Sequence, residues 1–314
     1  MNKIISILKP TGMTSHDVVS RVRKILNIKK VGHTGTLDPD ASGVLPICIG
    51  KATKVCEVIL NKDKSYICEL TLGISTDTYD ASGEILKKVD DFKFSNEDIE
   101  RAFDTQRGEI NQLPPIYSAL KVNGKRMCDL VRSGRQSEIT LKTRRVNIKD
   151  IKILSIKGNK VMFYVECSKG TYVRSICHDI GEYLGCGAHM SFLNRTSSGK
   201  FDLDNSITLE ELELFYENKT LDKYLYDIDY VLDSFNYVVL NPNAIKYYSN
   251  GGSIDDKRFL KNNFDKDDEF VRVYSTDNFL GLGKLSKQII QLVLKVIRCY
   301  ITNVFKKTTK EIVL

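Results

Sequence analysis

A carboxylate stands inside a glycine-punctuated loop, Gly32-His33-Thr34-Gly35-Thr36-Leu37-Asp38-Pro39-Asp40-Ala41-Ser42-Gly43. Pro39 keeps Asp38 out of helical backbone. The glycines let the chain turn sharply and let a ligand approach the main chain. A small-molecule glycosidase is one reading of such a carboxylate, and it would normally show a second one. Asp40 is a candidate for that second group by proximity only. Taken alone, an Asp-Pro pair is most often a turn residue or a helix cap. No Gly-Lys-Ser/Thr closes the loop, which excludes a phosphate-cradling P-loop, and Gly281-x-Gly283 lacks the third glycine of a dinucleotide fingerprint. Cys177 and His178 are neighbours, but no further Cys or His stands at ligand spacing, so no metal site is expected.

The surrounding elements must hold this loop. Thr14-Ser15-His16-Asp17 reads as a capping box, and Val18, Val19, Val22, Ile25 and Leu26 recur at helical spacing, predicting a helix over about 15–27. Tyr66 to Leu72 reads as a strand, and Val161, Phe163, Val165 and Cys167 alternate as a strand does. Lys169-Gly170-Thr171 then turns the chain into a helix bearing Val173, Ile176, Ile180 and Leu184. Ser95-x-x-Asp98 and Thr208-x-x-Glu211 cap two more helices. Strands and helices mixed without regular alternation predict an α+β fold, not a doubly wound sheet.

The 314 residues carry 47 Lys+Arg and 40 Asp+Glu, a net charge of +7, and residues 121–160 concentrate the excess with 12 basic against 3 acidic side chains. A band that dense suggests a polyanion partner, against the plainer reading of a solvated face. The 8 Cys show no Cys-x-x-Cys pair or regular spacing, so reduced thiols in a cytoplasm are expected. Neither a membrane span nor a secretory signal is legible.

Near residue 230 the texture changes. Tyr237–Leu240 and Phe270–Tyr274 are strand candidates flanking an Asn250-Gly251-Gly252 turn signal, which predicts a small β-rich module at 235–285 after a larger domain at 1–232. In the tail, 286–314, Gln288, Gln291, Lys295, Arg298 and Thr302 form a polar stripe on an otherwise apolar segment, predicting an amphipathic helix. Two accounts of it stay open. It packs or self-associates outside the catalytic machinery, or it results from a reading-frame change near Ser286.

The wider motif set is more specific than any single residue. Lys9-Pro10-Thr11-Gly12-Met13-Thr14-Ser15, Gly32 through Pro39, Gly43-Val44-Leu45-Pro46, Lys64-Ser65-Tyr66, Thr76-Asp77-Thr78-Tyr79-Asp80, Pro115 through Lys121, Ser168 through Arg174 and Leu184 through His189 follow in order. Together they resemble the bacterial tRNA pseudouridine-55 synthases, the TruB family, over about 1–230. The β-rich module resembles that family's PUA-type RNA-binding domain more faintly. The family usually finishes with a short strand completing that module, and the tail resembles nothing expected there.

The resemblance implies the pseudouridine synthase fold, a mixed and largely antiparallel sheet flanked by helices. It implies an enzyme that isomerises uridine 55 in the T loop of tRNA, by cleaving the glycosidic bond, rotating the flipped base and rejoining C5 to C1′, with neither metal nor cofactor. Asp38 matches the catalytic aspartate, His33 the residue inserted beside the flipped base, and Tyr66 the aromatic on which the base stacks. Arg174 matches the basic partner of Asp38 and Leu193 a pocket wall, while Tyr117 and Lys121 lie near the family's site. The expected partner is the tRNA T stem-loop, met by a monomer in the cytoplasm. A non-catalytic RNA-binding or chaperone protein on the same fold is the alternative. A degenerate member of that kind would be expected to lose Asp38. A zinc deaminase is excluded by its missing ligand signature.

Overall fold

The computed structural model describes residues 1–122, 124–264, 270–286 and 293–299, the last segment and residue 286 as backbone. The chain divides into two compact units, Lys3–Leu225 and the residues from Tyr226 onward.

The first unit opens with β1 (Ile4–Lys9), α1 (Ser15–Leu26), β2 (Val31–His33) and β3 (Ser42–Ile49). The capping box at Thr14 forms as its sequence predicts, with Thr14 Oγ1 accepting from the Asp17 amide at 3.1 Å and Asp17 accepting from the Thr14 amide at 2.9 Å. Then come α2 (Cys56–Leu60), β4 (Lys64–Leu72), the hairpin β5 (Ile74–Thr76) and β6 (Ile85–Lys88), α3 (Asn96–Asp104) and β7 (Gly108–Gln112). A second small hairpin, β8 (Lys121–Val122) and β9 (Lys125–Arg126), leads into α4 (Met127–Arg132). The long strands β10 (Arg144–Lys157) and β11 (Lys160–Cys167), α5 (Val173–Tyr183), β12 (Ala188–Ser198), β13 (Phe201–Asp202) and α6 (Leu209–Glu217) complete the unit.

Among the described residues these strands make a nine-stranded sheet in the order β1-β3-β12-β4-β11-β10-β7, with β2 beside β3 and β13 beside β12. Its pairings are antiparallel except β3 with β12, which run parallel over two residue pairs, Ser42 with Asn194 and Gly43 with Arg195. Two apolar clusters cover it. One joins α1 and α6 to β1 and β3, through Val18, Val22, Ile5, Ile47 and Leu212. The other joins α3 and α5 to the central strands, through Phe103, Ile176, Phe163 and Leu70. The expected α+β class and largely antiparallel sheet are found. No described helix is long and apolar enough to cross a membrane.

The second unit contains β14 (Tyr237–Leu240), α7 (Pro242–Ser249), β15 (Ile254–Asp255), β16 (Phe259–Asn262), β17 (Phe270–Tyr274), β18 (Phe279–Ser286) and β19 (Val293–Cys299). The six strands form one sheet around Val238, Leu240, Tyr248, Val271 and Val273. The tail corrects an expectation. Residues 293–299, read above as helix, form β19, paired antiparallel to β18 from Ser286–Val293 to Gly281–Cys299. The segment is rich in β-branched residues, and the free edge of β18 offers main-chain hydrogen bonds that outweigh a weak helical stripe. The rest of that predicted helix lies outside the described residues.

Candidate active site

Asp38 follows β2 in a loop that is tied down from several sides. The Ser15 hydroxyl accepts from the Leu37 amide at 2.9 Å and donates to the Leu37 carbonyl at 3.2 Å. The Gly12 amide donates to the Pro39 carbonyl at 2.9 Å, and the Ala41 amide to the Asp38 carbonyl at 3.1 Å. Beneath the loop Lys9, 1% exposed, donates from Nζ to the carbonyls of Met13 (2.6 Å), Pro10 (2.8 Å) and Pro39 (3.0 Å). Burial lowers its pKa to about 8, against the opposing pull of Asp38 and Asp40. The Lys9-Pro10 motif thus supplies a buried cation that gathers both loops at the site.

Arg174, on the first turn of α5, faces Asp38 and is 6% exposed. Its Nε lies 3.0 Å from Asp38 Oδ2, and its Nη2 donates to Asp38 Oδ1 at 3.3 Å and to the Tyr117 carbonyl at 3.1 Å. Its Nη1 donates to Asp80 Oδ2 at 3.3 Å and to the Thr78 carbonyl at 3.1 Å. Both terminal nitrogens are therefore engaged twice, in the planar fork that suits a carboxylate. Asp80 is itself fixed, its Oδ1 accepting from Thr78 Oγ1 (2.7 Å), Ser82 Oγ (2.6 Å) and the Ser82 amide (3.0 Å). The Asp38 side chain keeps 37% of its surface open. Burial of its inner face pushes its carboxyl above the ordinary value, Arg174 opposes the rise and Asp80 adds to it. One cation between two carboxylates orients Asp38 without neutralising the cluster.

The neighbouring strands supply the wall. Tyr66 on β4 stands opposite Arg195 on β12, and Cys68 opposite Leu193. Side chains two apart on a strand share a face, so Tyr66, Leu193 and Arg195 belong together, and Tyr66 and Leu193 are buried with Leu37 in one apolar cluster. Arg195 is 1% exposed and donates from Nε to the Val44 carbonyl at 2.7 Å. The Tyr66 phenol is a polar neighbour that helps keep this guanidinium charged. Burial pushes that phenol up to about 12, so it stays protonated at neutral pH. Gly43 permits the approach of β3 to β12: its φ is +109°, and a Cβ there would lie 2.2 Å from the Arg195 carbonyl oxygen. His33 ends β2, and burial and Arg195 lower its imidazole pKa, favouring the neutral ring.

The structure thus brings Asp38, Arg174 and the Tyr117 main chain into contact. Tyr66 lies within electrostatic reach of Asp38. Lys121 is exposed on β8 and lines an open cleft of about 550 Å³ with Lys125, Arg126 and Arg135. That cleft lies in the basic band. Arg126, Arg135, Arg145, Lys149, Lys152 and Lys160 of the band make exposed ion pairs with carboxylates, which individually add little stability. Arg195 stands outside every motif of the sequence, and Lys9 and Asp80 stand in it only as letters of motifs. Among the described residues no cluster of His, Cys, Asp and Glu could hold a metal ion.

The family model described as TruB family pseudouridylate synthase, N-terminal domain, matches residues 23–173, and that of the tRNA pseudouridylate synthase B C-terminal domain matches 174–233. Similar curated proteins include the tRNA pseudouridine synthase B of Clostridium tetani, 41% identical across 93% of this chain and 99% of that protein. That of Alkaliphilus oremlandii is 47% identical across 90% and 93%. Among solved structures, the archaeal box H/ACA sRNP Nop10–Cbf5 complex aligns with a TM-score of 0.74 at 26% identity, over 97% of this chain and 88% of that one. An H/ACA RNP bound to a substrate RNA containing 2'-deoxyuridine aligns with a TM-score of 0.73 at 26% identity, over 96% and 86%.

Proposed function

From the premise that this chain belongs to the TruB family of pseudouridylate synthases, we propose that Asp38 carries its isomerisation of uridine to pseudouridine in tRNA, at position 55 of the T loop. The observation that carries the proposal is the clamp on Asp38, whose inner face is taken by Arg174 while more than a third of its side chain stays open. A carboxylate so held meets the anomeric carbon as N1 departs. It stabilises or traps the oxocarbenium-like centre, as carboxylates do in glycoside chemistry. The freed uracil rotates and C5 bonds to C1′. The C5 proton is lost and N1 gains one, so the product is an isomer and no co-reactant is consumed.

The target uridine must leave its stack before C1′ is reachable. In this account His33 fills the vacated space, the Tyr66 ring carries the base and Leu193 walls the pocket. Basic side chains of the Lys121 cleft meet backbone phosphates, which position the RNA without specifying it. Loop shape and splayed bases supply the specificity. The described cysteines are free, which supports a reducing, cytoplasmic setting.

Incubation with unmodified tRNA in excess chelator, followed by pseudouridine mapping, tests this. One new pseudouridine in the T loop is expected. A product elsewhere, or an absolute need for metal or nucleotide, overturns the proposal.

A further inference from the structure

Tyr79 is one of three described non-glycine residues at positive φ, the others being Asn27 and Lys219. Asn27 is the C-cap of α1, and Lys219 follows the Asn218 C-cap of α6. Tyr79, at φ +62°, ends no helix. A bulky side chain there is strained, where Gly or Asn would sit comfortably. The next residue is Asp80, which takes Nη1 of Arg174.

The Tyr79 ring lies flat on His178, with centroids 3.9 Å apart and planes 8° from parallel. His178 is on α5, one helical turn beyond Arg174, so both project from one side of that helix. Its Nδ1 is buried and has no hydrogen-bond partner, so the stack rather than a polar contact at that atom orients the ring. Burial lowers the His178 pKa, and Asp179 and Glu182 are the charged groups beside the Tyr79 phenol. Main-chain bonds close the loop against β12, from the Met190 amide to the Tyr79 carbonyl at 3.0 Å and from the Ala81 amide to the Met190 carbonyl at 3.0 Å.

We propose that His178 is a positioning residue for the isomerisation. Its stack on Tyr79 holds residues 78–80 in the strained turn that presents the Thr78 carbonyl and the Asp80 carboxylate to Arg174, and through Arg174 sets the angle at which Asp38 meets the sugar. α5 thereby fixes both ends of the Arg174 clamp, one by carrying the guanidinium and the other by pinning the turn that receives it. The inference rests on the role proposed for Asp38, so its readouts are ratios to the wild-type rate.

The test is single-turnover isomerisation of a T stem-loop RNA, with RNA affinity measured alongside. His178→Leu fills the same space without an aromatic face, and His178→Phe restores one. The Leu variant is expected to lose about tenfold in single-turnover rate, a modest share of what a misplaced catalytic group costs. Its RNA affinity should change less than about twofold, whereas the Phe variant should recover most of the rate. In an Asp80→Ala background His178→Leu should cost clearly less, because only the Thr78 carbonyl then remains for the turn to present to Arg174. A wild-type rate for His178→Leu overturns the proposal. So does a His178→Phe variant as slow as the Leu variant, or the full loss repeated in the Asp80→Ala background. An inactive wild type would instead strike at the proposed reaction.

Discussion

Arg195 faces Tyr66 across the antiparallel pair of β4 and β12, and the phenol helps hold the buried guanidinium in its charged form. Tyr66→Phe keeps the ring but removes a polar neighbour of a fully buried cation. Urea unfolding should show a loss of about 1–3 kcal/mol, the cost of stranding one buried polar group. The phenol, pushed up to about 12, is no base at neutral pH. The pH–rate profile of Tyr66→Phe should therefore keep the wild-type shape. A wild-type limb that vanishes in the variant would show the hydroxyl to be a titrating participant.

Asp38→Asn should abolish single-turnover isomerisation while leaving tRNA affinity within several-fold, since phosphate contacts supply most of the binding. The amide still fills the space beside Arg174. Comparable single-turnover rates in variant and wild type would remove Asp38 from the chemistry.

Lys9→Met tests the buried cation by pH. The Lys9 pKa is about 8 in the folded chain against an ordinary 10.5. Below about 8 both folded and unfolded chains hold the proton, and the full cost of burying the charge is present. Between these values the unfolded chain binds more protons, so stability rises with pH. The urea midpoint of the wild type should gain on that of Lys9→Met as pH climbs from 8 toward 10. A difference that stays flat would show Lys9 to be unperturbed.

Gly43→Ala puts a methyl group 2.2 Å from the Arg195 carbonyl at a φ of +109°. Backbone must move, and a loss of about 3 kcal/mol or more is expected from the melting curve. Activity should fall with it, because the Asp38 loop enters β3 at this point.

Lys121→Ala should weaken tRNA binding and lower the slope of log affinity against log salt by about 1, as one lost phosphate contact does. An unchanged slope would place Lys121 outside the RNA path.

The helices capped by Thr14, Ser95 and Thr208 were legible because each cap and its partner lie three residues apart. Asp38 and Arg174 were legible as letters of two motifs, though their 3.0 Å contact spans 136 residues of chain and no local pattern encodes it. Arg195 left no trace. An arginine in a strand reads as surface, and only the register opposite Tyr66 buries it. Asp80 is a letter of the Thr76–Asp80 motif, and only the turn at Tyr79 aims it at Arg174. α7 passed unread although Asn241-Pro242 is a start signal with proline on the first turn. The tail misled because apolar side chains fit either period, and a neighbouring strand edge decided the outcome for 293–299.

The parallel join of β3 to β12, only two residue pairs long, links partners about 150 positions apart. Asp38 hangs from one side of that join, and Tyr66 and Arg174 from the other. Contacts so distant in the chain form late, after the entropy of a long loop has been overcome. A nascent chain on the ribosome therefore holds Asp38 for about half of its synthesis without a complete site around it, until the stretch through Arg195 has emerged and paired. Partly made or partly folded copies would display basic surface while the carboxylate lacks its pocket, so competence for modification arrives as a single late event.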